Sequence, residues 1–198
     1  MPRVIPHEAM LFLRGALGVD GAVGIAVERV DQTPIGPRVC FVVPRLRSAR
    51  VDPKRAPDRD TVSELVSRMV AMRWRGSPEP RTVPIDSGLA LSALYPRIYT
   101  RLTETPEGWH WLLASTAEWI LEAGVPSGFA VDQVKSKFGT LRFYCHADES
   151  DRATGKIVRA AEWISGAVCE VCGAPGSVRP GGWIRTLCEA HADAKHRG

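Results

Sequence analysis

The residues best suited to chemistry lie near the C-terminus, where three cysteines and one histidine form two short pairs. Cys169 and Cys172 enclose two residues. Cys188 and His191 do the same, and residues 173–187 separate the two pairs. Zinc prefers four nitrogen or sulfur ligands in tetrahedral geometry, and a short pair on a tight turn supplies two of them. The spacing therefore predicts one structural Zn²⁺ ion held by all four side chains, with disulfide pairing as the weaker alternative.

The segments around these ligands predict a small zinc module, residues 169–198. A Pro-Gly-Gly turn separates two short runs, 177–179 and 183–187, and this pattern indicates a hairpin. Residues 189–196 favour a short helix, so the second pair of ligands would lie in its first turn. This order resembles a treble-clef zinc finger, although the spacing alone fits a two-knuckle ribbon equally well.

Catalysis has to be weighed because treble clefs also occur in HNH-type nucleases. Those enzymes need a general-base histidine on the hairpin beside a second divalent metal, and the hairpin here contains no histidine. Cys145 and His146 are neighbours on an expected strand, where they would point to opposite faces and could not pair as nucleophile and base. We therefore expect a binding protein rather than an enzyme, with an HNH-like nuclease as the least favoured alternative.

The composition is that of an ordinary soluble globular protein. Of 198 residues, 44% are hydrophobic and 24% are charged, and the formal net charge is +4. No apolar run approaches the ~20 residues that span a bilayer, and the first ten residues lack the pattern of a signal peptide. Cys40 and Cys145 are isolated in the sequence. Together with a metal-type quartet, they favour a reducing cytoplasm over a disulfide scaffold.

The N-terminal elements are predicted to be a strand–loop–strand unit followed by a helix. Residues 21–31 and 38–44 are β-rich apolar runs bounded by turn residues. Residues 45–60 carry scattered charges of both signs, which favours a solvated connector over an arm that tracks phosphates. Thr61 and Glu64 have capping-box spacing at the start of the helix. Its apolar face comprises Val62, Leu65, Val66, Met69 and Val70.

The middle of the chain predicts two helices with a β-hairpin between them. Residues 107–123 and 151–168 have helical apolar spacing, and residues 129–146 have the alternation and turn of a hairpin. We expect His110 on the polar side of the first helix. On the second strand of the hairpin, Leu141, Phe143 and Cys145 are expected to face the core, and Arg142, Tyr144 and His146 to lie on the opposite face.

These elements predict an α+β fold in three parts. Residues 1–80 form a mixed N-terminal part, and the prolines that follow the first long helix suggest a boundary there. Residues 81–168 form the helix, hairpin and helix of the middle part. Residues 169–198 form the zinc module, which is either treble-clef-like or a ribbon.

Several motifs resemble an uncharacterised family of small bacteriophage and prophage proteins. The resemblance rests on the run at 94–99, the tryptophan helix at 107–123, QVKSKFGTLRFY at 133–144, CEVCG at 169–173 and GWIRTLC at 182–188. It covers about Leu94 to His191, half of the chain. Because the family brings no established activity, the resemblance implies a mobile-element setting in a bacterial host and nothing more specific.

Two binding functions are consistent with these sequence features. The first is a phage or prophage accessory protein that binds a host protein complex stoichiometrically, including as an inhibitor of host defence. The second is a zinc-finger regulator that binds nucleic acid through basic residues near the zinc module. These residues are Arg179, Arg185, Lys195 and Arg197, with Lys135, Lys137 and Arg142 on the hairpin. The small charge excess and the acidic residues among them favour a protein target.

Overall fold

A computed structural model describes residues 4–45, 58–149 and 151–194, and it has a mixed α+β fold, as predicted. In this part of the chain the strands form three separate two-stranded antiparallel sheets, β1–β2, β3–β4 and β5–β6. In chain order the elements are α1 (Val4–Gly21), β1 (Ala26–Thr33), β2 (Gly36–Val42), α2 (Arg59–Arg73), α3 (Ser87–Leu94), a 3₁₀ turn (Glu107–Trp109), α4 (His110–Ala123), β3 (Ala130–Lys137), β4 (Thr140–His146), α5 (Arg152–Ser165), β5 (Ser177–Arg179), β6 (Arg185–Leu187) and α6 (Glu189–Ala194).

Helix α1 occupies a region for which the sequence analysis predicted no element. Its buried face follows helical spacing, with Ala9, Phe12, Leu13 and Ala16 inside the core. The strand predicted for residues 21–31 is correct only from Ala26 onward, because the helix continues to Gly21 and a turn follows. The apolar spacing of residues 9–16 is the signal in the sequence that indicates this helix.

Helix α2 begins earlier than the predicted capping box. Asp58 is the N-cap, and its carboxylate accepts a hydrogen bond from the backbone N–H of Asp60 at 3.2 Å. The proposed Thr61–Glu64 capping box is therefore wrong. The carboxylate of Glu64 instead accepts hydrogen bonds from the side chain of Arg68, at 2.7 Å, and of one arginine on β2. The predicted apolar face is confirmed, since Val62, Leu65, Val66, Met69 and Val70 are all buried.

The apolar core lies among four helices. Helix α2 packs against α1, α4 and α5 and carries the β1–β2 sheet on its remaining side. One buried cluster joins side chains from all four helices and from the β3–β4 hairpin. The core thus takes residues from both sides of position 80, and the proposed division into three parts stays a prediction.

Helix α4 is buried more widely than one apolar face. Residues 110–117 are all buried, whereas Ala123, the last residue of the helix, is exposed. His110 is only 2% exposed, and its Nδ1 lies 2.9 Å from the hydroxyl oxygen of Ser87 at the start of α3. The prediction that His110 lies on a polar side was wrong, because packing on several sides leaves this part of α4 no solvated face.

The β3–β4 hairpin is confirmed, and α5 holds its second strand. The backbone N–H of Leu141 donates to the Ser165 hydroxyl at 2.8 Å, and that of Phe143 donates to the Glu162 carboxylate at 3.0 Å. Leu141 and Phe143 are buried and Tyr144 is exposed, as predicted. The remaining strand residues divide less cleanly, since Arg142 and Cys145 are half-buried and His146 is exposed.

Truncation of Phe143 tests the role of this strand in the core. Phe143 is 5% exposed and its ring lies 6.2 Å from that of Tyr99, so Phe143→Ala should lower the free energy of unfolding by about 3–5 kcal/mol. Tyr144→Ala on the opposite face is the matched control and should cost less than about 1 kcal/mol. Denaturant unfolding measures both, and equal losses would contradict the assignment of the two faces.

The buried histidine predicts an acid-sensitive stability. Burial, aided by the nearby Arg81 guanidinium, lowers the pKa of His110 from 6.5 to about 4. The unfolded chain therefore takes up a proton at His110 before the folded chain does, and stability is lost as pH falls from about 6.5 to about 4. The loss attributable to this residue should be roughly 3 kcal/mol.

A variant that cannot titrate isolates this contribution. His110→Asn keeps an amide near Ser87 and should show a shallower fall in unfolding free energy between pH 6.5 and pH 4.5 than the wild type. His7→Asn, at an exposed position of α1, is the control for replacing a histidine outside the core. Identical slopes for wild type and His110→Asn would show that the pKa of His110 is the same in the folded and the unfolded chain, and would contradict the prediction.

Candidate metal centre

The four predicted ligands converge on one point. The ligand atoms of Cys169, Cys172, Cys188 and His191 all lie within 4.8 Å of one another. The Sγ atoms of Cys172 and Cys188 are 3.8 Å apart, far beyond the ~2.05 Å of a disulfide bond, and all five cysteines are free thiols. The disulfide alternative is therefore wrong for this structure. Three sulfurs and one imidazole nitrogen at this spacing could hold a metal ion.

The first ligand pair sits on a tight turn that follows α5. The backbone N–H of Gly173 donates to the carbonyl oxygen of Cys169 at 3.0 Å, and the N–H of Cys169 donates to the carbonyl of Ala174 at 2.8 Å. Gly173 has a φ of 68°, which glycine adopts without the strain that a side chain would add. The turn closes because of this residue and holds the thiols of Cys169 and Cys172 on one side.

The second pair sits at the start of helix α6. Cys188 directly precedes the helix, and its carbonyl oxygen accepts hydrogen bonds from the backbone N–H groups of His191 and Ala192. The His191 Nδ1 lies 3.1 Å from the Cys188 Sγ and 3.5 Å from the Cys169 Sγ. The turn that carries Cys169 and Cys172, here called the knuckle, is followed by the β5–β6 hairpin and then by α6. This is the order expected of a treble-clef-like module.

The electrostatics of the cluster favour a thiolate. The pKa of Cys169 is lowered to about 4, chiefly because the Cys172 thiol donates a hydrogen bond to its sulfur. The backbone N–H groups of Cys172, Cys188 and Val171 add to this effect. The pKa of Cys172 is raised for the complementary reason, since its proton is held by the Cys169 sulfur. Thiolates are the form that binds metals, so the cluster is prepared for a cation.

A buried glutamate fastens the knuckle to the hairpin. Glu170 is 3% exposed, and its carboxylate accepts hydrogen bonds from the backbone N–H of Thr186 at 3.0 Å and from the Arg185 Nε at 2.9 Å. The Thr186 hydroxyl donates to the carbonyl oxygen of Gly139, in the turn of the β3–β4 hairpin, at 2.6 Å. These bonds join knuckle, β6 and the middle hairpin into one hydrogen-bonded unit.

A buried ion pair connects the knuckle to the N-terminal helices. The Arg73 Nε donates to the Glu8 carboxylate at 2.6 Å, and both side chains are less than a tenth exposed. The second oxygen of Glu8 accepts from the Trp74 Nε1 at 2.9 Å. The Arg73 Nη1 donates to the carbonyl oxygen of Cys172 at 2.9 Å. One guanidinium therefore holds α1 and the metal knuckle at the end of α2.

The 3₁₀ turn before α4 also touches the knuckle closely. The Gly108 N–H donates to the carbonyl of Glu170 at 2.9 Å, and the Trp109 indole donates to the carbonyl of Val168 at 3.0 Å. A Cβ atom at Gly108 would lie 2.1 Å from the carbonyl oxygen of Cys169. Only glycine permits this contact, so the backbone of the knuckle packs directly against the 3₁₀ turn.

The basic residues proposed for nucleic acid are mostly engaged with neighbours. Arg185 is bonded to Glu170, and Arg179 pairs with Glu189. Arg142 donates to the hydroxyl of Thr140 at 2.8 Å and to the carbonyl of Leu141 at 2.7 Å. The structure does not gather these arginines into one unpaired patch within the described residues. Lys195, His196 and Arg197 lie outside those residues.

Two lysines of the hairpin lie beside aromatic rings. The Lys135 ammonium is 5.5 Å from the centre of the Tyr144 ring, and the Lys137 ammonium is 5.6 Å from that of Phe138. Phe138 is 66% exposed. Pairs of basic and aromatic side chains suit the stacking of unpaired bases. Among the described residues, this turn therefore most resembles a surface that binds single-stranded nucleic acid.

The structure brings together one serine–histidine pair that sequence reasoning missed. Ser87 and His110 are separated by 23 residues and form a contact of 2.9 Å, but both are buried. Because solvent does not reach either group, the pair joins α3 to α4 rather than presenting a nucleophile. No spacing rule could have connected these two residues.

Comparison with known proteins adds no family. No protein-family model, no curated protein and no solved structure matches this chain. The resemblance to phage and prophage proteins therefore stays a prediction. Among residues 4–45, 58–149 and 151–194, no helix is both long enough and apolar enough to cross a membrane.

The ligand geometry predicts one bound metal ion per chain. Purified protein should contain one equivalent by elemental analysis, and Cys172→Ser should lose it because one of the four ligands is replaced. Cys145→Ser is the matched control, since Cys145 is also half-buried but lies outside the cluster. Wild-type metal content in Cys172→Ser, or none in the wild type, would contradict the site.

Proposed function

We propose that this protein is a zinc-stabilised binding protein of a bacteriophage or prophage that acts stoichiometrically on a host protein complex in the bacterial cytoplasm. The observation that carries the proposal is the exposed tryptophan Trp183 on the β5–β6 hairpin. The Glu170 carboxylate accepts hydrogen bonds from this hairpin, and the candidate metal ligands Cys172 and Cys188 flank it in the chain. The phage setting rests on the resemblance of residues 94–191 alone.

Zinc is the metal that the ligand set favours. Tetrahedral zinc with Zn–S bonds of about 2.3 Å and Zn–N bonds of about 2.0–2.1 Å places two sulfurs about 3.8 Å apart and a sulfur and a nitrogen about 3.6 Å apart. The Cys172–Cys188 separation of 3.8 Å and the Cys169–His191 separation of 3.5 Å fit these values, whereas the Cys188–His191 separation of 3.1 Å is shorter. Thiolate-rich tetrahedral sites select zinc over harder cations.

The proposed ion is structural rather than catalytic. Four protein ligands complete the coordination of zinc and leave no position for a reacting water. Its energetic role is to close the knuckle and the start of α6 around one centre, which couples metal binding to folding of the module. This supports a binding protein over a metal-dependent nuclease, which remains the least favoured alternative.

The exposed surface of the hairpin suits a protein partner. Trp183 is 79% exposed, and Val178 and Ile184 on the same hairpin are 45% and 37% exposed. A cleft of about 430 Å³ opens beside Trp183, with Pro180 and Leu187 among its lining residues. Exposed apolar groups gathered on one element mark interaction sites, and tryptophan contributes strongly to protein interfaces.

The charges near this surface support protein over nucleic acid as the partner. Arg179 and Arg185, the two arginines of the hairpin, already have carboxylate partners. An arginine that is neutralised by its own chain contributes little to the phosphate contacts on which nucleic-acid affinity depends. The alternative, a nucleic-acid-binding regulator, is supported only by the lysine–aromatic pairs at the β3–β4 turn.

Affinity capture with two tryptophan variants tests the proposal. Tagged wild-type protein should retain a host protein complex from bacterial lysate at a fixed molar ratio, with or without nuclease treatment. Trp183→Ala should reduce the retained complex at least tenfold, as expected for a central interface tryptophan worth roughly 2 kcal/mol. Trp163→Ala, at a 43% exposed tryptophan on α5, is the control and should retain the complex.

The alternative function predicts a different outcome. If the regulator reading is correct, nuclease treatment should abolish capture and Lys135→Ala with Lys137→Ala should weaken DNA or RNA binding with a steep salt dependence. These lysines are better probes than Arg185, because replacing Arg185 would leave the buried Glu170 carboxylate without its cationic partner. Retained metal content and an unchanged unfolding midpoint identify variants that remain folded.

A further inference from the structure

A second cleft lies far from the metal ligands in the sequence, between the β1–β2 sheet and α2. Its volume is about 810 Å³. Helix α2 contributes a polar stripe to it, Asp60, Ser63, Glu64 and Ser67, whose spacing places all four on one helical face. The opposite wall includes apolar residues of the sheet, among them Phe41. The functional proposal above does not use this cleft.

Among the described residues that line the cleft, acidic groups outnumber basic groups. The charged lining residues are Glu28, Asp31, Asp60 and Glu64 against Arg29 and Arg38. Arg38 and Arg68 both donate to one oxygen of Glu64, at 2.6 and 2.7 Å, so that carboxylate is already compensated. Arg29 pairs with Glu28 at 2.7 Å and with Asp31 at 3.1 Å. The Arg29 guanidinium therefore carries one positive charge against the two negative charges of Glu28 and Asp31. Asp60 on α2 adds a third negative charge.

One buried side chain on this cleft lacks a hydrogen-bond partner. Ser63 is 3% exposed, and within the described chain its hydroxyl oxygen has no partner. A buried hydroxyl without a partner destabilises a fold, and most buried hydroxyls are satisfied. The neighbouring Ser67 shows the usual arrangement, since its hydroxyl accepts from the Arg38 Nε at 3.0 Å. The Ser63 hydroxyl is thus free to form a hydrogen bond with a ligand in the cleft.

We propose that this cleft binds a lysine- or arginine-bearing segment of the protein partner. The carboxylates of Glu28, Asp31 and Asp60 attract the cationic group, and the Ser63 hydroxyl accepts one of its N–H donors. The apolar wall packs against the aliphatic stem that such side chains carry beneath the charge. The inference rests on the proposed function only for the source of the segment, a protein, and not for the chemistry of the site.

A defined peptide tests the cleft without the unidentified partner. Fluorescein-labelled hexa-arginine amide is titrated with full-length, metal-loaded protein, and binding is followed by anisotropy. One peptide should bind per chain, and the affinity should fall as salt rises because the attraction is partly electrostatic. Labelled hexa-glutamate should not bind. Absence of hexa-arginine binding to the wild type overturns the inference even if the capture experiment with Trp183 succeeds.

One cleft variant and one control outside the cleft locate the binding. Glu28→Gln with Asp60→Asn removes two exposed charges and should weaken hexa-arginine binding about tenfold. Glu79→Gln with Asp86→Asn removes two exposed charges outside the cleft and should leave the affinity unchanged. Equal weakening in both proteins would mean that the peptide reads only net charge, which overturns the site.

Ser63→Ala separates a ligand role from a structural one. If the hydroxyl is kept for a ligand, the variant should bind hexa-arginine about three- to tenfold more weakly while its unfolding midpoint stays the same or rises. A lowered midpoint would show that the hydroxyl has a structural partner and would overturn the assignment. Tighter binding of a peptide with the sequence of residues 45–57 than of hexa-arginine would also overturn it, by making the chain itself the occupant.

Discussion

The buried ion pair between Glu8 and Arg73 constrains how the N-terminal helices and the C-terminal segment pack. Two charges removed from water are tolerable only when their remaining hydrogen-bonding capacity is also satisfied. The indole of Trp74 and the carbonyl oxygen of Cys172 meet that condition. The cost of burying the guanidinium therefore fixes three distant segments at once: helix α1, the end of α2 and the metal knuckle. Loss of either charge would leave the other buried without a partner.

Further contacts orient residues 169–194 on the core. The backbone of this segment meets the core at Gly108, where a side chain would collide with the carbonyl of Cys169, and its hairpin is tied through Glu170 and Thr186. The ligand cluster organises the knuckle and the start of α6 locally, while the ion pair and these contacts orient the module on the core. These hydrogen bonds hold the hairpin that carries Trp183 against the rest of the chain.

The two proposed contact surfaces have different chemistry and belong to different elements. The β5–β6 hairpin offers exposed apolar side chains whose neighbouring arginines are neutralised within the chain. The cleft beside α2 offers carboxylates in excess and a buried hydroxyl without a partner. A protein that has both an apolar surface and a basic segment could occupy both, whereas the phosphate backbone of a nucleic acid would be repelled by the second.

The sequence by itself determined what depends on short-range spacing. The quartet Cys169, Cys172, Cys188 and His191, the inner face of α2 and the burial of Leu141 and Phe143 follow from chelate spacing and from helical or strand periodicity. Only the tertiary structure decided the rest. The burial of His110, the Glu8–Arg73 pair and the cleft around Ser63 each join residues that are far apart in the chain. Such contacts depend on how helices pack, and no local pattern encodes that packing.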